Sequence, residues 1–190
     1  MKLVFATANT HKVNEIRTLL PNEIKLLSLQ DINCTEEIPE TQATIEGNAS
    51  QKAFYVYNNY QLNCFADDTG LEIAVLDGRP GVLSARYAGE NKSADDNINK
   101  ILTEMKDAKN RNARFKTVIS LVLNGKEIQF EGIINGIILK ERRGNNGFGY
   151  DSIFAPNGDN KTFAEMNLSE KNKISHRALA VNKLLKYLNK

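Results

Sequence analysis

A mixed α/β fold is what this sequence predicts, and three observations predict it. An apolar strand at the N-terminus feeds directly into a segment of helical periodicity. Strand-like and helix-like stretches then alternate as far as Met105. From Ala113 a strict two-residue alternation leads into Asn124-Gly125, the dipeptide that closes an antiparallel hairpin.

The elements follow in order. Lys2 to Ala8 is a strand centred on Val4 and Phe5, broken by Asn9-Thr10-His11. Lys12 to Leu20 places Val13, Ile16, Leu19 and Leu20 at helical spacing, and Pro21-Asn22 stops it. Ile24 to Leu27 is a short strand. The segment Asp31 to Thr44 is acidic and irregular, with Glu36, Glu37 and Glu40. Glu46 to Tyr57 is a helix with Ala49, Ala53 and Val56 on one face. Leu62 to Ala66 and Leu71 to Val75 read as two strands joined by a Thr69-Gly70 turn. Ser93 opens a helix, with Asp96 placed for a capping box and a stripe of Ile98, Ile101, Leu102 and Met105.

Ala113 to Leu123 sets Phe115, Thr117, Ile119, Leu121 and Leu123 on one face, with Arg114, Lys116 and Ser120 on the other. The return strand is Lys126 to Glu131, and Ile133 to Leu139 is a third strand entered through Gly132. Ser169 to Asn172 is a polar helical segment. Ser175 caps a last helix that turns Leu179, Leu184, Leu185 and Leu188 inward.

Length and composition bound the function. The chain of 190 residues fits one large domain or two lobes sharing a core. A net charge of +2, from 25 basic and 23 acidic residues, gives no support for general nucleic-acid binding. No apolar run approaches the roughly 18 residues of a membrane span. The N-terminus turns polar at Asn9, too early for a secretory signal. Cys34 and Cys64 lack metal-type spacing and are too few for a disulfide framework, so a reducing, cytoplasmic setting is expected.

Several stretches carry chemistry, each with two readings. Asp67-Asp68 is either a turn with two solvated acids or a divalent-metal and general-base site at a strand end. Thr7 to Lys12 is a strand–loop–helix junction: either a satisfied N-cap or an anion site reinforced by Lys12. Lys52, taken alone, reads as a surface lysine rather than a ligand contact. Gly144 to Asp151 is either a mobile loop anchored by Phe148 or a loop offering aromatic faces to a flat base. His176 and Arg177 stand in the first turn of the last helix. Positive groups there oppose the macrodipole, which points to another duty.

Taken together these stretches resemble one family, the inosine/xanthosine triphosphate pyrophosphatases that clear non-standard purine nucleotides. The matching pieces are Ala6 to Lys12 with Glu15, Pro39-Glu40-Thr41, Asn48-Ala49 with Lys52-Ala53, and Ala66 to Leu71. Further on come Pro80-Gly81, Ser84 to Tyr87, Gly147 to Asp151, Glu170-Lys171-Asn172 and Ile174 to Arg177. They stand in the family's order and span nearly the whole chain.

The resemblance implies a two-lobed mixed sheet flanked by helices, within a single domain over residues 1–190, and an active cleft between the lobes. It implies a homodimer and Mg²⁺-dependent hydrolysis of inosine, deoxyinosine and xanthosine triphosphates to monophosphate and pyrophosphate. It makes Glu40 and Asp68 metal ligands, with Asp68 also the proton acceptor. It places substrate contacts at Thr7, Asn9, Lys12, Lys52, Thr69, Arg86, Phe148, Gly149, Tyr150, Asp151, Lys171, His176 and Arg177. On this reading His176 and Arg177 meet the keto oxygen at the six-position of the purine, and Phe148 or Tyr150 stacks on the ring.

Overall fold

The computed structural model describes residues 1–189. Twelve elements are named in chain order. They begin with strand β1 (Lys2–Phe5), helix α1 (Thr10–Arg17), β2 (Lys25–Leu27), α2 (Ile45–Tyr60), β3 (Cys64–Ile73) and β4 (Pro80–Gly81). They continue with α3 (Ala94–Glu104), β5 (Asn112–Leu123), β6 (Lys126–Ile138), β7 (Phe154–Pro156), α4 (Leu168–Ile174) and α5 (His176–Leu188). The α/β class is as expected, with a mixed seven-stranded sheet in the order β2-β1-β3-β5-β6-β7, and β4 added to β3. β1 pairs in parallel with β2 and β3, while β4 on β3 and β7 on β6 are antiparallel. Asn124 and Gly125 both take positive φ, 50° and 79°, the backbone a two-residue hairpin turn needs between β5 and β6. Among the described residues no helix is long and apolar enough to cross a membrane.

The chain divides into two compact units. The first holds Met1–Asp68, Thr117–Gly132 and the chain from Arg177 on. Its sheet is covered on both faces, which is why its strands read as unbroken apolar runs. Leu3, Phe5, Phe65, Ile119 and Leu121 pack with Ile16 of α1 and with Ala180, Val181 and Leu184 of α5. Their neighbours Val4, Ala6, Cys64, Ala66 and Val122 point the other way and pack with Ala53 and Val56 of α2. Phe5 and Phe65 stack face to face at 4.7 Å across the parallel pair. The second unit, Thr69–Lys116 and Ile133–His176, has a core of its own. There the α3 stripe of Ile98, Ile101 and Met105 meets Leu71, Ile73, Phe115, Ile138, Phe154 and Phe163.

Two expectations are corrected. Thr69-Gly70 is not a turn. β3 runs unbroken from Cys64 to Ile73, because Leu71 and Glu72 pair with β4 and the Leu71 amide donates to Ser84 Oγ at 2.9 Å. Gly132 likewise does not separate two strands, and β6 is continuous through it. Ser120 lies on the other face of β5 from Ile119 and Leu121, as its spacing requires. It is fully buried and donates to Glu127 Oε1 at 2.8 Å, since β5 is covered on both sides there.

Candidate active site

The period of β3 sorts its two aspartates as it sorts the core. Successive side chains alternate between faces. Phe65 belongs to the α1/α5 face, and two residues on, Asp67 takes the same side. Ala66 belongs to the α2 face, and Asp68 follows it. Each aspartate therefore meets the cations of a different helix layer.

On the first face, Asp67 is fully buried. Its Oδ1 accepts from Lys12 Nζ at 3.0 Å, and its Oδ2 from Arg177 Nε at 3.1 Å. Arg177 also donates through Nη1 to Glu15, one turn beyond Lys12 on α1. Four buried or nearly buried charges alternate in sign, the arrangement buried ions require. Burial would raise the Asp67 carboxyl, but Lys12 and Arg177 outweigh it and hold it well below the usual carboxylate range. Burial lowers Lys12, helped by Lys52 and Arg177 and opposed by Asp67. For Arg177, burial is outweighed by Asp67 and Glu15, so it stays charged. α1 is fixed in place by Asn9, whose Oδ1 accepts from the amides of His11 at 3.0 Å and Lys12 at 3.2 Å. Thr7 Oγ1 in turn accepts from the Asn9 amide. Thr7 and Asn9 thus shape the junction that presents Lys12.

On the second face, Lys52 reaches from the middle of α2 and donates to Asp68 Oδ1 at 2.9 Å and to Glu40 Oε1. The surface position expected for Lys52 is corrected, because this lysine is buried. Its helix is amphipathic on the sheet side, and position 52 falls one turn from the buried Asn48, Ala49 and Val56. Burial raises the Asp68 carboxyl above its ordinary value, with the like charge of Glu40 adding to it, against the pull of Lys52 and Lys12. For Lys52, burial is outweighed by Asp68, Glu40 and Asp67, which keep the ammonium protonated.

The second unit holds the remaining expected residues. In the loop after β6, Gly147 and Gly149 have φ of 76° and 58°. Asp151 Oδ2 accepts from the Phe148 amide at 2.9 Å and from Lys171 Nζ at 2.6 Å. The Lys171 ammonium lies 5.0 Å from the Phe148 ring centroid, a cation–π contact. Lys171 is set by α4, whose N-cap Asn167 and Glu170 form a full capping box. The His176 ring stacks on Phe115 at 4.5 Å. Tyr150 is buried and donates its hydroxyl to the Ser84 carbonyl at 2.7 Å. It braces the loop from the core, whereas Phe148 is half-buried. Thr69 on β3 and Arg86, in the short helical turn Ser84–Arg86, are half-buried.

The structure thus joins Lys12 to Asp67, Lys52 to Glu40 and Asp68, and Phe148 and Lys171 through Asp151. Asp67 was read only as half of the acid pair and Glu15 only as a residue of the family resemblance, and neither was assigned a role of its own. Their signals were present: strand alternation for Asp67, and the i, i+3 spacing of Lys12 and Glu15 on one helix face.

Fold and geometry define the class first: an α/β protein whose central strand carries adjacent aspartates, each gripped by a lysine from a different flanking helix. A model of the Ham1 family matches residues 3–187. The dITP/XTP pyrophosphatase of Flavobacterium johnsoniae is 57% identical over 188 residues, 99% of this chain and 98% of that protein. The dITP/XTP pyrophosphatase of Bacillus subtilis is 47% identical over 189 residues, covering 97% and 96%. The solved Staphylococcus aureus Ham1 protein is similar with a TM-score of 0.90 at 36% identity, over 100% of this chain and 98% of that one. A HAM1 protein from Coxiella burnetii gives 0.92 at 38%, over 100% and 98%. The chain belongs to the Ham1 family.

Proposed function

We propose that this protein hydrolyses non-standard purine nucleoside triphosphates, those of inosine, deoxyinosine and xanthosine, to the monophosphate and pyrophosphate. The observation that carries this reading is the Lys52 ammonium held between Glu40 and Asp68. It stands in a chain 57% identical to a protein named dITP/XTP pyrophosphatase.

The donor set fits Mg²⁺. Glu40 and Asp68 are hard oxygen donors already drawn onto one cation, and among the described residues no third Asp, Glu, His or Cys completes a cage. Mg²⁺ usually takes one or two carboxylates and leaves its other places to water and substrate phosphates. When bound there it neutralises charge developing on the phosphates.

The chain's own residues do the rest. Asp68 accepts the proton of the attacking water. In the metal-free chain burial raises its proton affinity, and its place at the strand end beside Lys52 sets it to take that proton. An oxygen–phosphorus bond forms from that water, and the anhydride bond between the α- and β-phosphates breaks as pyrophosphate leaves. Asp67 stays ionised and holds Lys12 in place, so that Lys12 and Lys52 donate to the triphosphate oxygens. Thr7, Asn9, Thr69, Arg86 and Gly149 complete the substrate-binding set. Phe148 stacks on the base, beside Lys171 held by Asp151. His176 and Arg177 answer for the six-keto oxygen, which accepts where an adenine amino group would donate.

The proposal takes the 190 residues as one catalytic domain of two lobes, a homodimer in the cytoplasm. The free, buried state of Cys34 and Cys64 supports a reducing compartment. The test is pyrophosphate release from inosine, xanthosine, adenosine and guanosine triphosphates with Mg²⁺. The inosine and xanthosine substrates should exceed adenosine triphosphate by ~10²-fold or more in kcat/KM. Release of orthophosphate instead, or equal efficiency on all four, would overturn the reading.

A further inference from the structure

We infer that Lys52 occupies the position a divalent cation takes between Glu40 and Asp68, and so makes loading of the metal depend on arrival of the triphosphate. This rests on the metal reading above. Lys52 donates to both proposed metal ligands at once. With its ammonium in place the group of three carries one net negative charge, and the neighbouring set of Lys12, Asp67, Arg177 and Glu15 carries none. A free divalent ion is therefore drawn only weakly while Lys52 stays. If Lys52 moves aside, a buried ammonium loses both partners, and an unpaired buried charge is strongly unfavourable.

A triphosphate resolves the conflict. Its oxygens give the displaced ammonium new acceptors while Glu40 and Asp68 turn to the metal. Each ligand then favours the other by the same factor, as linkage requires. The arrangement keeps both carboxylates paired with a cation between turnovers without a resident metal. It also makes Lys52 a positioning residue for the metal as well as a phosphate contact.

The test is Mn²⁺ binding to the nucleotide-free full chain, followed by electron paramagnetic resonance, in wild type, Lys52→Gln and Lys12→Gln. Lys52→Gln should bind Mn²⁺ tighter by ~10-fold or more, within the usual range of coupling between sites. Lys12→Gln removes an equal charge that grips Asp67 instead, and should tighten Mn²⁺ binding by a clearly smaller factor, because its ammonium acts on the Glu40–Asp68 position only from a distance. Equal tightening in both variants would mean general charge relief and overturn the inference, as would unchanged or weaker binding in Lys52→Gln.

Lys52→Gln leaves two carboxylates facing each other and can fail to fold, so a second measurement uses the wild type alone. In lysine-selective ¹⁵N NMR, the Lys52 ammonium signal should move with Mg²⁺ plus pyrophosphate at Mg²⁺ concentrations that leave it in place without pyrophosphate. Movement with Mg²⁺ alone at those concentrations overturns the coupling. Turnover that survives excess chelator would instead remove the metal reading itself, so the two failures are distinct.

Discussion

Adjacent aspartates acquire opposite proton affinities here because a strand sends them to opposite sides. Asp67 faces Lys12 and Arg177 and is held ionised, whereas Asp68 faces one lysine shared with Glu40 and is raised by burial. Only the second is suited to take a proton. Asp68→Asn keeps the shape and a hydrogen-bond acceptor for Lys52 but removes the base. Turnover should fall by ~10²-fold or more, the lower range for loss of a positioned base, while the thermal transition stays cooperative. Steady-state kinetics with circular dichroism checks this, and near-normal kcat would sink the assignment. At this scale the sequence was informative about which residue types mattered and poor about their environments. Asp67-Asp68 and Glu40 could be picked out as acids that need a cation. The burial of Lys52 could not, since a lysine in mid-helix reads as solvated until its face is known to lie against a sheet. For Glu15 the unreadable part was its partner, since Arg177 lies 162 residues away.

Elements were misread where tertiary pairing overrode a local glycine signal. Gly70 and Gly132 carry the flexibility of a turn, but both lie inside long strands whose pairing fixes an extended backbone. Helices were more legible, because their caps are local. Asn9, Thr44 and Ser93 each accept from an amide two or three residues on. The loop from Gly144 to Asp151 shows a glycine that is required. At Gly147, φ is 76° and a Cβ would lie 2.9 Å from Asp151 Cγ and overlap its Oδ2. Gly147→Ala must therefore push aside the carboxylate that holds the Phe148 amide and Lys171. Losing one hydrogen bond to a charged group costs about 1.5–3 kcal/mol. The KM for inosine triphosphate should rise roughly 10–100-fold, with kcat less affected. Gly149 has a similar φ of 58° but nothing within 4 Å of its Cβ position, so Gly149→Ala bears only the backbone cost, about 1–2 kcal/mol. Equal losses in KM for the two variants would show that loop strain, not the Asp151 contact, sets the effect.

For the molecule as a whole, the two-unit division could not be located in the sequence, because β3, β5 and β6 each pass from one unit to the other without a break in their two-residue period. The boundaries fall between Asp68 and Thr69, Lys116 and Thr117, Gly132 and Ile133, and His176 and Arg177. The first unit is assembled from three separate segments, and its charged chain of Lys12, Asp67, Arg177 and Glu15 ties residues near the start, middle and end of the sequence. That chain makes global stability depend on acid. Asp67 has a folded-state pKa below its unfolded value of about 3.9. Such a group contributes stability that is fully present above the unfolded pKa and is lost as pH falls below it toward the folded value. Asp68 is shifted upward and has the opposite sign: its charged form opposes folding at neutral pH, and that opposition disappears as pH falls through the folded pKa. Asp67→Asn should therefore be destabilised at pH 7 by about 3–5 kcal/mol, the cost of leaving buried cations without their carboxylate. The deficit should shrink as pH falls below about 4, where the unfolded wild-type chain takes up a proton at Asp67 that the folded one still refuses. Asp68→Asn should be close to neutral or stabilising at pH 7, and any gain should vanish in acid. Urea unfolding of the three proteins at neutral and acid pH separates these outcomes. An Asp67→Asn deficit that stays constant from pH 7 to pH values below about 4 would mean that packing, not the Asp67 charge, holds Lys12 and Arg177 in place.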